Sequence, residues 1–408
     1  MHILFLTDNF PPEGNAPATR TYEHAREWVK KGHKVTVITC APNFPEGRVF
    51  DGYKNKWISK ETIDGIEAWR VKTYITANEG FLKRTLDFVS FMLSSFLFGL
   101  FSKKVDVVIG TSPQFFTVIS AWALAKLKRV PFIFELRDIW PASITAVGAM
   151  KKSKIISTLE RIEMFLYRQA DLIISVTHSF KEELIERGVD GNKIEVVLNG
   201  VDLSMYQPTE CKNSEFASKY NLEGKFVAGY IGTHGLAHAL DKIVEAASLL
   251  RDDDDIRIIF AGGGADRPRI EKLVSESGLT NIVMIPRQPK EKMPALWSLC
   301  DVSLVHLKDT PLFETVIPSK IFESMGMGLP IIISAPLGEA TEIINSADCG
   351  IVSPPENSNE LAAAIRSIKA HGVTEYAQKS INAAKQYDRR VLANKMLGYI
   401  FATKKHTG

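Results

Sequence analysis

The sequence predicts two doubly wound α/β domains in tandem, each a Rossmann-like parallel sheet with helices on both faces. Three observations predict this class. Short apolar runs alternate with amphipathic helical patterns along the chain, and the runs are continuously apolar, as in strands buried on both faces. A polar stretch after Asp202 and up to Gly224 separates two such series. The length of 408 residues fits two or three domains of ordinary size.

The first predicted domain comprises residues 1–202. It opens directly on a strand at 2–7, without the basic region and cleavage site of a secretory signal, so we expect no such signal. The further predicted strands are 34–39, 105–109, 132–135, 172–176 and 194–197, and the predicted helices are 18–31, 114–126, 155–169 and 179–187. A linker is expected to follow this series.

The second predicted domain comprises residues 220–387 and repeats the alternation. Its predicted strands are 226–231, 256–260, 282–285, 301–305 and 330–333, and its predicted helices are 240–250, 269–276 and 319–325. Ligands bind at the carboxyl ends of strands in doubly wound sheets, so we expect the two domains to face each other across a cleft. A last helix, at about 388–402, is a candidate to pack back on the first domain.

Composition excludes several classes of protein. Hydrophobic residues make up 45% and charged residues 24%, which is typical of soluble globular chains and not of disordered, collagen-like or coiled-coil ones. The net charge of +3 is too small to indicate a nucleic-acid partner. The four cysteines lie far apart, which disfavours a zinc site or a disulfide framework and fits a reducing cytoplasm. GxGxxG and Walker sequences are absent, which disfavours nicotinamide, flavin and P-loop chemistry.

One segment breaks the alternation. Residues 86–101 read LDFVSFMLSSFLFGLF between basic pairs, a run shorter than the 18 residues that a spanning helix needs. A buried helix is the ordinary interpretation, and a helix lying in a membrane interface is the alternative, to which further basic clusters at 126–129 and 151–154 add some weight. In the interfacial interpretation, the residues that contact the membrane are Lys83, Arg84, Phe91, Phe96, Lys103 and Lys104.

Two places in the first domain are candidate binding sites. Gly14 and Asn15 lie in the loop after the first strand, where a backbone can approach an anion at a helix N-terminus, although an ordinary βα loop has the same pattern. Arg137 and Asp138 follow a strand and can bind sugar hydroxyls or a phosphate, with Trp140 stacking on a sugar. An internal salt bridge is the alternative for these charges.

The corresponding loop of the second domain contains two glycines, a hydroxyl and an imidazole. Gly232 and Gly235 bracket Thr233 and His234, which suits a loop that closes on a phosphate or a sugar, while a helix-capping role for His234 is the alternative. Gly263 lies in a glycine triplet after the next strand, and that signal is weak alone.

The densest set of polar groups lies between residues 313 and 324. Pro318 suits the start of a helix, which places Ser319 and Lys320 at its N-terminus. Free N–H groups, a hydroxyl and an ammonium together can hold a diphosphate. Glu323 follows on the same helix face and can accept both hydroxyls of a ribose; a capped helix with an ion pair is the alternative.

These residues resemble a known family. The run PSKIFESMGMGLPIIIS resembles the donor-binding helix of family-four retaining glycosyltransferases, which have the GT-B fold. The motifs DNFPPEGNAPATR, PNFPEG, FELRDIWP, NGVD and YIGTHGLAHALD make the resemblance closer. Together they resemble the branch that adds amino sugars in bacterial O-antigen and capsule synthesis, such as N-acetyl-L-fucosaminyltransferases. The resemblance covers nearly the whole chain.

The resemblance implies a role for most of the candidate residues. Glu323 would bind the nucleotide ribose, Ser319 and Lys320 would hold the diphosphate, and Arg287 would lie by the uracil. The implied donor-binding residues are Gly14, Asn15, Gly232, Thr233, Gly235, Gly263, Arg287, Pro318, Ser319, Lys320 and Glu323. The implied catalytic residues are Lys320, Glu314, Asp138, Arg137 and His234.

The chain departs from the family pattern in two places. The first glutamate of the family's Glu-x7-Glu pair would fall at Thr315, and Glu314 lies one residue early. Many family members carry an Arg and a Lys just after the glycine loop, where residues 237–241 offer neither. Lys320, with Arg267, would then neutralise the leaving diphosphate.

The implied reaction is retaining transfer of an N-acetylated, 6-deoxy amino sugar from a UDP-sugar to a polyprenyl-diphosphate-linked saccharide. No Asp-x-Asp motif follows a strand, so we expect neither a metal nor a cofactor. The expected location is the cytoplasm, peripheral on the inner face of the cytoplasmic membrane. Two alternatives stay open: a UDP-sugar 2-epimerase, and a non-catalytic nucleotide-sugar-binding scaffold.

Overall fold

The computed structural model describes residues 1–44, 46–76, 81–112, 114–140 and 154–407. The chain divides into two compact units. Unit 1 is Met1–Leu198 together with the segment that begins at Arg389, and unit 2 is Asn199–Asp388. Each unit is an α/β domain around a mainly parallel sheet, which confirms the predicted fold class.

Unit 1 contains an eight-stranded sheet in the order β3-β4-β2-β1-β5-β6-β7-β8. Its strands are β1 (His2–Leu6), β2 (Lys34–Cys40), β3 (Ile58–Ile63), β4 (Ile66–Val71), β5 (Val107–Thr111), β6 (Phe132–Leu136), β7 (Leu172–Ser175) and β8 (Ile194–Val196). The pairs are parallel except for β3 with β4, which is antiparallel. Apart from β4, the buried strands of this sheet are the continuous apolar runs that the sequence predicts.

The hairpin of β3 and β4 is missing from the sequence prediction. Its edge strand β3 alternates partly buried and exposed residues, so it has no continuous apolar run to reveal it. The turn contains Asp64 and Gly65, both with positive φ, which is the geometry that two-residue hairpins favour. An Asp-Gly pair between two β-prone segments was therefore the available signal.

Six described helices cover the sheet of unit 1. They are α1 (Ala16–Lys30), α2 (Phe81–Gly99), α3 (Phe115–Lys128), α4 (Lys154–Gln169), α5 (His178–Glu186) and α14 (Arg389–Thr407). The last helix shares a core with the first, because Trp28 is fully buried and its indole N–H donates to the carbonyl of Ala393 at 2.9 Å. Leu392, Met396 and Ile400 complete this apolar contact.

Unit 2 contains a six-stranded parallel sheet in the order β11-β10-β9-β12-β13-β14. Its strands are β9 (Phe226–Thr233), β10 (Ile256–Gly263), β11 (Ile282–Pro286), β12 (Val302–His306), β13 (Ile331–Ser334) and β14 (Gly350–Ser353). The strand order reverses between β9 and β12. The loops that follow these two strands therefore diverge at the carboxyl edge of the sheet, where doubly wound folds bind ligands.

Eight helices accompany this sheet. They are α6 (Ser214–Lys219), α7 (Leu240–Leu249), α8 (Arg267–Ser277), α9 (Met293–Trp297), α10 (Lys320–Gly326), α11 (Glu339–Ala347), α12 (Ser358–His371) and α13 (Thr374–Ala384). The prediction of a linker up to Gly224 is corrected. Phe216 on α6 is buried, and Lys212 forms an ion pair with Asp301 at 2.5 Å. This segment is part of unit 2.

Candidate active site

Lys320 is a buried ammonium at the carboxyl edge of the unit 2 sheet. Its side chain is 8% exposed, and its Nζ has no hydrogen-bond partner in the part of the chain that the structure describes. The Nζ lies 3.5 Å from the centre of the Tyr230 ring. Burial lowers the pKa of Lys320 to about 7, although the charge of Glu323 raises it. A buried cation that lies on an aromatic face and makes no described hydrogen bond is suited to bind an anion.

The glycine loop after β9 borders this ammonium. A Cβ on Gly232 would lie 3.1 Å from the Nζ of Lys320, and Gly232 has a φ of 139°, so glycine keeps the space next to the cation open. Position 262 requires glycine for a different reason: a Cβ there would lie 1.9 Å from the carbonyl oxygen of Gly232. The two glycine loops therefore pack backbone against backbone. Thr233 is exposed at this edge, and Gly235 is half-buried.

His234 is placed differently from its predicted catalytic role. Its side chain is 0% exposed and packs against Tyr230 and Phe260, with ring centres 5.9 and 6.2 Å away. Burial, and then the charges of Arg267 and Lys320, lower its pKa to about 4, so the ring is neutral at pH 7. Its backbone N–H donates to the carbonyl of Gly263 at 2.9 Å. We therefore assign His234 to packing beneath the loop.

Three residues that sequence reasoning missed complete this cluster: Tyr230, His238 and His306. The Nδ1 of His306 lies 2.8 Å from the carbonyl oxygen of His238, and the Nδ1 of His238 lies 3.3 Å from the carbonyl oxygen of His306. Burial lowers the pKa of both rings to about 4. The available signal was position, since His306 ends β12 and His238 lies in the loop after β9.

Glu323 lies one turn after Lys320, as predicted for a ribose ligand. Its Oε2 accepts a hydrogen bond from the indole N–H of Trp297 at 3.1 Å, and the indole is fully buried. This bond fixes the carboxylate at the surface of α10. Ser319 precedes the helix and its carbonyl accepts from the N–H of Phe322, which starts the first turn directly after Pro318.

The displaced glutamate, Glu314, lies in the segment between β12 and α10. Glu314 is exposed at the end of a 3₁₀ turn, Pro311–Glu314. The hydroxyl of Thr315 donates back to the carbonyl of Leu312 at 3.2 Å. Thr315 is therefore tied to its own turn, and the catalytic role of Glu314 stays a prediction.

The neighbouring strands position two arginines. Arg287 is exposed just after β11, and a Cβ on Gly263 would lie 3.9 Å from its Cβ, so these two predicted donor residues lie side by side. Arg267 donates to the carbonyls of Ile285 and Gly262 and pairs with Glu271 at 2.6 Å. The expected help of Arg267 with the diphosphate is therefore corrected: its guanidinium ties strand ends together.

The charged run at the end of β6 contains one ion-paired residue and one largely buried cation. Glu135 is buried and accepts from Arg20 at 2.9 Å, so an internal salt bridge explains it. The N–H groups of Arg137 and Asp138 both donate to the hydroxyl of Ser112, at 2.8 and 3.3 Å. The Nη1 of Arg137 is buried without a hydrogen-bond partner among the described residues, and burial lowers the pKa of Arg137 to about 10. The Nη1 of Arg137 can therefore still donate a hydrogen bond.

Two other predictions for unit 1 are altered. Trp140 is half-buried and stacks on Phe115 with ring centres 5.2 Å apart, so one face of its ring packs on the core. Asn15 caps α1 by accepting from the N–H of Ala18 at 2.9 Å, which gives it a structural role. Gly14 has open space around the position of a Cβ, so packing does not explain it.

An acidic group near the same sheet edge was also missed. Asp8 follows β1, and burial raises its pKa, with Arg137 among the groups that oppose the rise. Burial, and then the charge of Asp8, raise the pKa of Asp87 to about 7. Glu13 accepts from the N–H groups of Asn43 and Phe44, at 2.7 and 2.8 Å. Unit 1 thus offers both a cation and protonatable carboxyls at this edge.

Helix α2 contains the predicted interfacial segment. Phe91 is 0% exposed within the core, so its predicted lipid contact is corrected, and Phe96 is only partly exposed. The exposed side chains of this region are instead Lys83, Arg84, Leu86, Leu93, Leu97, Leu100, Phe101, Lys103 and Lys104. Residues 151–153 of the predicted basic cluster lie outside the described residues. Over the described part of the chain, no helix is long and apolar enough to span a membrane.

The acidic run 252–255 has a structural explanation. Asp253 pairs with Arg366 at 2.8 Å, and Asp255 pairs with Lys369 at 2.5 Å, so the run ties the turn after α7 to α12. Within the described ranges, no group of three or more His, Cys, Asp or Glu side chains is arranged to hold a metal ion.

Comparison with known proteins places these sites in context. Residues 17–205 match the family Glycosyltransferase Family 4, and residues 212–387 match Glycosyl transferases group 1. A putative colanic acid biosynthesis glycosyl transferase, WcaI of Escherichia coli (strain K12), is 27% identical over 401 residues, which are 94% of this chain and 97% of the relative.

Solved structures match the whole architecture. Sucrose-phosphate synthase (tll1590) from Thermosynechococcus elongatus superposes with a TM-score of 0.77 at 15% identity, covering 100% of both chains. Anabaena Alr3699/HepE in complex with UDP-glucose gives a TM-score of 0.71 at 16% identity, covering 98% of this chain and 100% of the other. At these identities the likeness establishes the fold.

Proposed function

Because the chain belongs to the glycosyltransferases built from a Glycosyltransferase Family 4 domain and a group 1 domain, we propose a specific reaction for it. The enzyme transfers an N-acetylated, 6-deoxy amino sugar from a UDP-sugar to a polyprenyl-diphosphate-linked saccharide, with retention and without a metal. The product enters O-antigen or capsule synthesis. The name of the WcaI relative, which refers to colanic acid biosynthesis, supports a polysaccharide role.

The observation that carries this proposal is the buried Lys320, whose Nζ has no hydrogen-bond partner among the described residues. Glycosyl transfer from a nucleotide sugar releases a nucleoside diphosphate, and stabilising that leaving group is the main catalytic task. A lysine that is already withdrawn from water and is protonated beside a phosphate interacts strongly with it and needs no reorganisation when charge develops. Gly232 leaves open space beside the Nζ, which gives the phosphate room to approach.

The uridine is supported by the groups around Lys320. Glu323 lies on the same helix, and Trp297 orients its carboxylate, which suits two ribose hydroxyls. Arg287 and Gly263 lie at the adjacent strand ends, where we place the uracil. HepE, a fold relative, was solved with UDP-glucose, which supports a UDP-sugar as the donor class.

Retention follows if attack and departure share one face of the donor sugar. The acceptor oxygen bonds to the anomeric carbon while the bond from that carbon to the β-phosphate oxygen breaks. The acceptor proton passes to the departing phosphate oxygen, so no separate base is required. Lys320 stabilises the negative charge that develops on the diphosphate during this step.

The acceptor end is proposed to lie at a membrane surface. Leu86, Leu93, Leu97 and Phe101 recur along the exposed side of α2 and its C-terminal end, and basic residues flank them. Trp57, which is 67% exposed, lies near this helix. Its carbonyl accepts a hydrogen bond from the N–H of Lys72, and the carbonyl of Lys72 accepts one from the hydroxyl of Ser94 on α2. This composition suits the anionic cytoplasmic face of the membrane, where a lipid-linked acceptor is held.

A donor panel tests the reaction. Purified protein is incubated with UDP-N-acetyl sugars, including 6-deoxy ones, and a synthetic polyprenyl-diphosphate-GlcNAc acceptor. Product mass identifies the sugar, and NMR coupling gives the anomeric configuration. Inversion would contradict the mechanism, and transfer abolished by EDTA and restored by a divalent metal would contradict the metal-free assignment.

Matched variants tie the activity to the site. Lys320→Met is expected to lose transfer, and Lys272→Met, at a position 74% exposed on α8, is expected to keep it. Full activity of Lys320→Met would refute the role of Lys320. A new epimer formed from UDP-N-acetylglucosamine alone would favour the 2-epimerase, and UDP binding without transfer to any acceptor would favour the scaffold.

A further inference from the structure

The donor diphosphate needs more positive charge than Lys320 supplies. Each phosphate of a nucleotide sugar carries a negative charge at neutral pH, and a buried charge is costly unless it is paired. The guanidinium of Arg267, whose charge acts on His234 of the same loop, is committed to backbone carbonyls and to Glu271. This inference rests on the proposed function and asks which group compensates the second phosphate.

His238 lies beside the same glycine loop as Lys320. A Cβ on Gly235 would lie 3.6 Å from Cδ2 and 4.0 Å from Nε2 of His238, so this edge of the ring faces the second glycine of the loop. Lys320 faces the first, Gly232, and both side chains contact Tyr230. The cation and the imidazole therefore flank the same four-residue loop.

The hydrogen bonds of His238 fix which nitrogen is free. A carbonyl oxygen only accepts, so the contact with His306 holds the proton of His238 on Nδ1. The Nε2 of the neutral ring is then an unprotonated acceptor, and protonation turns it into a donor. The same logic applies to His306, but that ring is 2% exposed and lies beneath the surface.

We propose that His238 is the second ligand of the donor diphosphate: its Nε2 donates to one phosphate while Lys320 binds the other. Both side chains take up protons as the diphosphate enters. His238 thus supplies, only when the donor is present, the positive charge that residues 237–241 otherwise lack.

The surroundings explain why the protons arrive with the ligand. The groups facing the two side chains are the Tyr230 phenol from β9, the His234 ring from the loop, the His306 ring from β12 and the Glu323 carboxylate from α10. The next charged groups outward are Arg267, Glu271, Asp241, Lys308 and Glu356. Burial keeps both side chains poorly charged in the free protein, and an adjacent anion reverses that preference.

The number of protons taken up on binding is measured by calorimetry of UDP-N-acetylglucosamine binding at pH 8, in buffers of different ionisation enthalpy. Its diphosphate does not titrate near this pH, so the protons belong to the protein. We expect wild type to take up more than one proton per ligand, because a single lysine accounts for at most one. We also expect affinity to fall as pH rises from 6 to 9.

Variants assign the protons. His238→Asn keeps a donor for the carbonyl of His306 but removes the titrating nitrogen, so it should take up about one proton fewer and bind on the order of tenfold more weakly. His371→Asn, at an exposed position on α12, is the matched control and should behave as wild type. His238→Gln repeats the test if the first variant unfolds early.

The outcomes separate the two proposals. Proton uptake and affinity that are unchanged in His238→Asn would overturn the assignment of His238 and leave the transferase intact. Binding with no proton uptake in wild type would overturn it as well. Failure of both UDP and UDP-N-acetylglucosamine to bind wild-type protein would overturn the nucleotide site itself, and with it this inference and the proposed function.

Discussion

Replacing Lys320 with methionine should stabilise the protein while abolishing its activity. Methionine has a similar length and volume, so it fills the same space without leaving a cavity. In the absence of ligand the ammonium has lost its water and gained no hydrogen-bond partner within the described residues. The variant removes that cost along with the group that binds the diphosphate.

The magnitude follows from the pKa of Lys320. Its lowering from 10.5 to about 7 corresponds to about 5 kcal/mol at 1.36 kcal/mol per pKa unit. Local relaxation reduces this figure, so we expect a gain in the free energy of unfolding of about 2 to 5 kcal/mol at pH 7. For a domain of this size, that is roughly 4 °C or more in Tm.

The pH dependence gives the sign of the effect. Below pH 7 the lysine is charged in both states, and the full cost is present in the folded wild type. Between about pH 7 and the unfolded value of 10.5, only the unfolded chain holds the proton, so wild-type stability rises with pH and its deficit against the methionine variant shrinks.

Thermal unfolding without ligand, at pH 6, 7.5 and 9, measures the effect, with Lys272→Met as the control for loss of an exposed lysine. We expect the largest difference in Tm at pH 6. A Lys320→Met variant less stable than wild type at every pH would refute the reasoning, because it would mean that the ammonium is compensated in the free protein.

Three further predictions concern other parts of the molecule. Glu323→Gln should raise KM for the donor on the order of tenfold with a smaller change in kcat, because a neutral amide accepts the ribose hydroxyls poorly; a larger loss in kcat than in binding would argue against a ribose ligand. Arg20→Met should destabilise unit 1 by about 3 kcal/mol by removing the guanidinium that pairs with the buried Glu135, which keeps only the charge of Arg137 and a hydrogen bond with Thr111; adding Glu135→Met should restore part of the loss in a denaturation series, and additive losses would contradict the pairing. Leu93→Glu with Leu97→Glu should reduce flotation with anionic vesicles, whereas Leu127→Glu, at a position 62% exposed on α3, should not; equal flotation of all three proteins would exclude α2 as the contact.

The sequence was sufficient for eleven of the fourteen described strands, all but β3, β4 and β14, and for the residue at the centre of the proposed site. Continuous apolar runs located the buried parallel strands, because such strands need no alternation. The edge strand β3 was missed since one of its faces is exposed. Lys320 was predicted because Pro318 and Ser319 mark a helix start directly before it, a local signal.

The surroundings of Lys320 required the structure. Tyr230 and His306 reach the same place only because β9 and β12 are neighbours in the sheet, and strand order is not written in local patterns. The same applies to the ion pair of Glu135 with Arg20, because the two residues are 115 positions apart in the chain and no local pattern reveals their contact. The burial of His234 also required the structure, because the second glycine loop packs against the backbone of that residue.

The stability cost of Lys320 and its function are two measures of one interaction. A ligand that binds only the folded state stabilises it by RT ln(1 + [L]/Kd), about 2.7 kcal/mol at a hundredfold excess over Kd. Wild type should gain this from UDP, whereas Lys320→Met should gain little. The difference in Tm between the two proteins should therefore shrink, or reverse, as UDP is added. If UDP raised the Tm of both proteins equally, Lys320 would be destabilising for a reason unrelated to the diphosphate.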